Sequence, residues 1–120
     1  MPQYYDFLVY ATLSSFSSVS TSLANERDPR TFPIISKDKK TLWIVEIDGR
    51  QGWYSCGICP DEMVVLAKKL GGYNMTNVDG GGSSVMWVYD SAAGKGQVVN
   101  SVSDSKGERS CLNYMLVKVK

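Results

Sequence analysis

The stretch that decides the fold is FPIISKDKKTLWIVEI, residues 32–47. Two runs of mostly aliphatic and aromatic residues, Phe32 to Ser36 and Thr41 to Ile47, flank the charged segment Lys37 to Lys40. Such runs favour extended backbone, and a short polar segment between them is typical of a hairpin turn. The sequence therefore predicts an antiparallel β-hairpin, with Asp48, Gly49 and Arg50 at the end of its second strand.

One convincing helix is predicted after this hairpin, from Pro60 to Leu70. Proline suits the first turn of a helix, acidic residues favour its positive N-terminal end, and lysines favour its negative C-terminal end. The segment has all three features in that order, and glycine follows it. Its apolar residues recur at helical spacing and predict an inner stripe of Met63, Leu66, Ala67 and Leu70.

The remaining apolar runs are short and predict strands at Tyr4 to Leu13, Met75 to Val78, Val85 to Tyr89 and Leu112 to Val119, with Val98 and Val99 extended. Several strands and one main helix indicate the α+β class, with a mixed or mostly antiparallel sheet. The expected core consists of Trp43, Ile44 or Val45, Met63, Leu66, Val85, Trp87, Leu116 and Val117.

Composition excludes several classes of function. Thirteen basic and twelve acidic residues give a net charge of +1, so no overall field favours nucleic acid. No apolar run reaches the roughly 18 residues of a transmembrane helix. Histidine is absent from the 120 residues, which excludes Ser-His-Asp and Cys-His catalysis. The three cysteines provide one CxxC pair and no second pair of zinc ligands, so we expect no metal and no cofactor.

The most unusual segment is Asp79 to Ser84, DGGGSS. Consecutive glycines lose much conformational entropy on folding, so either a flexible turn or a required backbone geometry explains them. Backbone N–H groups in such a turn can converge on an anion, and two hydroxyl groups follow directly. Asp48 and Asp79 each lie at the end of a predicted strand, directly before a glycine. Two interpretations stay open: the residues are paired carboxylates of one site, or each forms a turn.

Several of these segments occur together in one order and spacing, namely Arg30-Thr31, Asp48-Gly49-Arg50, Asn77 to Ser84, Val99-Asn100 and Glu108-Arg109. The series resembles the phosphodiester glycosidase family. That family includes many bacterial envelope proteins and also the enzyme that uncovers the mannose-6-phosphate tag. The resemblance covers residues 27–120. These residues resemble the C-terminal part of the family domain, so we expect a truncated form of that domain. Residues 1–26 match the family weakly and are predicted to form an N-terminal strand and a serine-rich connector.

The resemblance implies a hydrolase that cleaves the glycosidic bond of a sugar-phosphate diester of the N-acetylglucosamine-1-phosphodiester type. It implies that Asp48 and Asp79 are the catalytic carboxylates, with their two roles unassigned. The implied substrate- and phosphate-binding residues are Arg30, Thr31, Arg50, Gly80, Gly81, Gly82, Ser83, Ser84, Asn100 and Arg109.

Two other functions stay open from the sequence. The first is a remnant or fragment of such a domain that binds sugar phosphates without turnover. The second is a thioredoxin-like oxidoreductase, because the CxxC pair Cys56 and Cys59 lies between a predicted strand and a helix. That fold also needs a later proline facing the pair, and no proline follows Pro60.

The expected partners are a sugar-phosphate or glycan substrate, no nucleic acid and no membrane span. The truncated pattern predicts a homodimer or a missing N-terminal lobe, because an uncovered sheet edge drives association. The family resemblance suggests a secreted or cell-envelope protein. However, no basic residue precedes the apolar run Phe7 to Ala11, so the segment is not a clear signal peptide.

Overall fold

The computed structural model describes residues 26–111 and 114–118. Its elements are β1 (Arg30–Ser36), β2 (Leu42–Ile47), α1 (Pro60–Lys69), β3 (Gly72–Met75), β4 (Trp87–Asp90) and β5 (Lys95–Val98), with a 3₁₀ turn at Gly81–Ser83. The first three strands form an antiparallel sheet in the order β2-β1-β3, and β4 pairs with β5 as a separate hairpin. In these described residues, one helix with antiparallel sheets confirms the predicted α+β class.

The predicted first hairpin is present, and its first strand begins earlier than expected, at Arg30. Phe32 lies opposite Val45, and Ile34 lies opposite Trp43. The turn is closed by a hydrogen bond from the Ser36 N–H to the Thr41 carbonyl, at 3.0 Å. Because side chains alternate along a strand, this register places Phe32, Ile34, Trp43 and Val45 on one face.

The helix α1 covers that face. The buried core consists of Phe32, Ile34, Ile58, Met63 and Ala67, and the partly buried residues packed against it are Trp43, Val45, Ile47, Leu66 and Met75. Three residues of the predicted helical stripe therefore contact the core. The fourth, Leu70, is 37% exposed because it follows the last helical turn.

The strand after the helix begins earlier in the sequence than predicted, at Gly72–Met75 rather than Met75 to Val78. A Cβ on Gly72 would lie 2.2 Å from Ile34 Cγ2, so this glycine allows β3 to pack closely, while Gly71, with φ 85°, ends the helix. The chain beyond the strand still follows β1, because the Val78 N–H donates to the Thr31 carbonyl at 3.0 Å. The next strand also begins later than predicted, at Trp87 rather than Val85.

The predicted closing strand is wrong for the part that the structure describes. Residues 114–118 have no strand, and Leu116 is 88% exposed. Two other expected core residues, Val117 and Trp87, are exposed as well, and Val85 is only partly buried outside the core cluster. Among the described residues, no second layer lies over these side chains, because α1 covers only the three-stranded sheet. Leu112, Val119 and the predicted N-terminal strand and connector lie outside the described residues.

Candidate functional site

A cavity of about 260 Å³ lies where the ends of several segments meet. Its lining combines three arginines with the glycine loop and consists of Asp28, Pro29, Arg30, Arg50, Gly80, Gly81, Gly82 and Arg109. Three guanidinium groups and one carboxylate make this lining electropositive, although the whole chain carries a net charge of only +1. Arginine suits phosphate because its planar group can donate two parallel hydrogen bonds.

Arg30 is the first residue of β1, and its side chain is held by two backbone carbonyls. Its Nε donates to the Ile58 carbonyl at 2.8 Å, and its Nη2 donates to the Glu26 carbonyl at 3.0 Å. Its backbone also forms an isolated antiparallel bridge with Gly80. Arg30 therefore gives the cavity a cation in a fixed position, and its backbone positions the start of the glycine loop.

Arg50 reaches the cavity from the end of β2 through a left-handed backbone conformation, with φ 57°. Its Nε donates to Asp28 Oδ1 at 2.8 Å. The preceding Gly49 is buried, and a Cβ there would lie 2.6 Å from the Pro29 nitrogen. The Asp-Gly-Arg segment thus packs so closely against Pro29 and Gly57 that only a glycine fits at its centre.

The glycine loop brings its backbone against two of the arginines. Gly81 has φ 62°, and a Cβ on it would lie 3.0 Å from Arg50 Nη1. A Cβ on Gly82 would lie 2.4 Å from Arg109 Nη2. A side chain at either position would displace a guanidinium group, and Gly81 also has a left-handed φ that other residues rarely adopt.

Most N–H groups of this loop already have acceptors in the protein. Gly80 donates to Asp79 Oδ1 at 2.9 Å, and Gly81 donates to the Pro29 carbonyl at 2.9 Å. The N–H groups of Ser83 and Ser84 donate back to loop carbonyls at 3.2 Å and 3.1 Å. At these four positions the loop provides space for the arginines rather than free donors for an anion.

Arg109 comes from the polar segment after β5 and pairs with a carboxylate of that segment. Its Nε and Nη2 both donate to Asp104 Oδ2, at 3.2 Å and 3.0 Å. These hydrogen bonds from Arg109, with one from the Lys106 N–H, hold the pKa of Asp104 below its usual value. Arg50 and Arg109 are therefore each oriented by an acidic residue, Asp28 and Asp104 respectively.

Asp48 lies outside the cavity lining, in a network that joins distant segments. Its Oδ1 accepts the Asn100 side-chain amide at 3.0 Å, and both of its oxygens lie 3.0 Å from the Ser101 N–H. Asn100 also accepts the Met86 N–H at 2.8 Å and donates to the Ser84 carbonyl at 3.0 Å. Asp48 thereby fastens the end of β2 to the loops on either side of the second hairpin.

The other predicted site residues also lie outside the lining. Asp79 is exposed and accepts the N–H of Gly80. Thr31 donates its hydroxyl to Glu46, and Ser84 is 1% exposed with a buried hydroxyl that has no partner among the described residues. The structure thus brings together Arg30, Arg50, Gly80, Gly81, Gly82 and Arg109, and leaves Thr31, Asp48, Asp79, Ser83, Ser84 and Asn100 around them. Catalytic roles for the two aspartates remain predictions.

Sequence reasoning missed two acidic residues. Asp28 lines the cavity, and the signal for it was its place beside Arg30 across a proline. Glu46 lies on β2, opposite Thr31, as the one acid in an apolar strand. The pKa of Glu46 is raised to about 7, mainly by burial of its carboxyl group. The hydrogen bond from Thr31 lowers this pKa, and the negative charge of Asp48 raises it.

Comparison with known proteins agrees with the resemblance seen in the sequence. A model of the phosphodiester glycosidase family matches residues 10–118. No curated protein matches the chain. In the part of the chain that the structure describes, no helix has the length and apolar character needed to cross a membrane. Because the family match spans nearly the whole sequence, the chain belongs to the phosphodiester glycosidase family.

Proposed function

We propose that this chain binds a sugar-phosphate diester and hydrolyses its glycosidic bond, with an N-acetylglucosamine-1-phosphodiester as the substrate type. The observation that supports this proposal is the convergence of three arginines and one carboxylate on a single cavity. The family membership gives the class of reaction. The family match gives no support to the alternative of a thioredoxin-like oxidoreductase.

The charges of the cavity match the leaving group of this reaction. Cleavage of the bond between sugar carbon 1 and oxygen releases a phosphate monoester, whose second pKa is about 6. Such a group leaves as a stable anion, so it needs little proton donation and strong stabilisation of negative charge. Arg30, Arg50 and Arg109 would bind the phosphate oxygens, with the glycine loop leaving room for it.

A carboxylate must also activate water or stabilise the positive charge that develops on the sugar. The family resemblance assigns this work to Asp48 and Asp79. Asp28 is a third candidate, because it lines the cavity beside Arg50. A phosphate bound to Arg50 would compete with Asp28 for that guanidinium and so leave the carboxylate free to act.

A binding protein without turnover is the second candidate. It is favoured by the network around Asp48, whose oxygens accept the Asn100 amide and the Ser101 N–H. A carboxylate held in this way stabilises the fold whether or not a reaction takes place. The proposed homodimer bears on the same choice, since a second chain can complete a site that one chain leaves unfinished.

The experiment is release of free sugar from UDP-N-acetylglucosamine, compared among Asp28→Asn, Asp48→Asn and Asp79→Asn. Asp61→Asn, at an exposed position on α1, is the matched control. We expect one carboxylate variant to lose turnover while keeping its affinity for inorganic phosphate. Turnover that rises more steeply than protein concentration would support a site shared between two chains. Phosphate binding with no turnover at any concentration would establish the binding protein instead.

A further inference from the structure

The CxxC pair lies next to the cavity and has no part in the proposed reaction. Cys56 is exposed, Cys59 is partly buried, and both are free thiols. The two residues between them, Gly57 and Ile58, contact the residues that build the cavity. This arrangement connects the chemistry of the two sulfur atoms to the position of the cavity's charged groups.

Ile58 holds two residues of the cavity lining. Its carbonyl accepts the hydrogen bond from Arg30 Nε at 2.8 Å. Its backbone forms an antiparallel bridge with Asp28, through the Ile58 N–H to the Asp28 carbonyl at 3.1 Å and the Asp28 N–H to the Ile58 carbonyl at 3.4 Å. Movement of this one residue would therefore displace both a guanidinium and a carboxylate of the cavity.

One guanidinium group contacts the loop between the two cysteines and the helix that follows it. Arg27 Nη1 donates to the Gly57 carbonyl at 3.2 Å, and its Nη2 is paired with Glu62. The pKa of Arg27 is raised first by the hydrogen bond and charge of Glu62, and in smaller measure by both Cys56 and Cys59. Arg27 therefore ties the backbone between the two cysteines to the first turn of α1.

A disulfide between these cysteines would compete with the bridge to Asp28. Closing it requires Cα atoms about 4.4–6.8 Å apart, which across two intervening residues is the span of a tight turn. In the reduced form, the bridge holds Ile58 extended. Gly57 has φ 96°, and a Cβ on it would lie 2.5 Å from the Asp28 carbonyl carbon. The backbones of Gly57 and Asp28 are therefore in tight contact.

We propose that Cys56 and Cys59 form a reversible disulfide that releases Ile58 from Asp28 and Arg30 and thereby weakens phosphate binding. The inference rests on the proposed function, because it assigns a regulation to that same cavity. The oxidant is a small-molecule disulfide such as oxidised glutathione. One thiolate attacks it and expels one thiol, and the second cysteine then attacks the mixed disulfide and expels the other. The two cysteines lose two hydrogen atoms, and the oxidant is reduced to two thiols.

The test uses the full chain with Cys111→Ser, so that only the pair can be oxidised. The protein is equilibrated with reduced or with oxidised glutathione, and a Cys56→Ser version of the same protein is the matched control. Three quantities are measured on each sample: the mass of the peptide that contains both cysteines, the hydrogen exchange rate of the Ile58 amide, and the affinity for inorganic phosphate by calorimetry.

We expect the oxidised sample to carry the disulfide, to exchange the Ile58 amide faster, and to bind phosphate about tenfold more weakly, as for one misplaced charge-assisted contact. Dithiothreitol should reverse all three changes, and the control should show none of them. Absence of the disulfide, or a disulfide that leaves the Ile58 amide protected and the phosphate affinity unchanged, overturns the proposal. If the reduced protein binds no phosphate, the proposed function is wrong, and the Ile58 exchange rate alone decides the structural switch.

Discussion

The three-stranded sheet and the β4–β5 hairpin use similar residues and differ in what covers them. Phe32, Ile34 and Met63 are fully buried between the sheet and α1. In the hairpin, Trp87 and Tyr89 are each 57% exposed, with ring centroids 6.2 Å apart. Apolar side chains therefore form a core only where a second layer lies on them.

Polar contacts replace packing where the hairpin is attached. Asn100 joins Met86, just before β4, to Asp48 at the end of β2. The cavity spans this boundary, because Arg30 and Arg50 come from the ends of the packed sheet's strands and Arg109 comes from the polar segment after the hairpin. The site therefore combines a rigid half with a half that is held mainly by hydrogen bonds.

The largest expected effect is on the packed half. Phe32→Ala should lower the free energy of unfolding by about 3–5 kcal/mol, because the side chain is fully buried and its loss leaves a cavity. The matched change in the hairpin, Val88→Ala, should cost no more than about 0.5 kcal/mol, since Val88 is 47% exposed. Urea denaturation measures both, and equal losses would show that the hairpin is packed in solution.

A smaller effect is expected at the attachment point. Asn100→Ala removes two donors and an acceptor and leaves the Met86 N–H without its partner, at a cost of about 1–3 kcal/mol. Hydrogen exchange should rise at Met86 and Val99 more than at Phe32. Asn77→Ala, at an exposed position, is the control and should leave exchange unchanged. A uniform rise along the whole chain would contradict a local attachment.

Arg109→Lys tests whether the polar segment takes part in anion binding. Lysine keeps the charge and loses the planar group that donates two parallel hydrogen bonds. We expect phosphate affinity to fall about tenfold, equivalent to about 1.4 kcal/mol. Calorimetry measures the affinity, and Lys106→Arg, outside the cavity lining, serves as the control. Unchanged affinity in Arg109→Lys would place the anion on Arg30 and Arg50 alone.

A pH dependence of stability is also expected within the packed half. Because burial raises the pKa of Glu46 from 4.5 to about 7, the folded chain holds this proton more tightly than the unfolded chain. The stability from this group is therefore complete below pH 4.5 and is lost as the pH rises through about 7. Glu46→Gln should remove this loss, seen as a smaller fall in melting temperature between those pH values. Parallel curves for the two proteins would show that Glu46 is not buried in solution.

The hairpin of residues 32–47 and the helix that begins at Pro60 were predictable because their signals are local. Alternating strand residues around a charged turn, and a proline followed by acids and an apolar stripe, fix backbone conformation within a few residues. The arginines and the glycine loop were predicted as site residues from the family resemblance, and the family match covers the segments that contain them.

What the sequence determined was the first hairpin, the helix and the identity of the positively charged groups. The tertiary structure decided the rest. It placed Asp28 in the cavity and Asp48 in a structural network, although each carboxylate is next to a turn in sequence. It also left Trp87 and Leu116 exposed, although their residue types favour a core. Burial and partners depend on which distant segments meet, and no local pattern along the chain records those meetings.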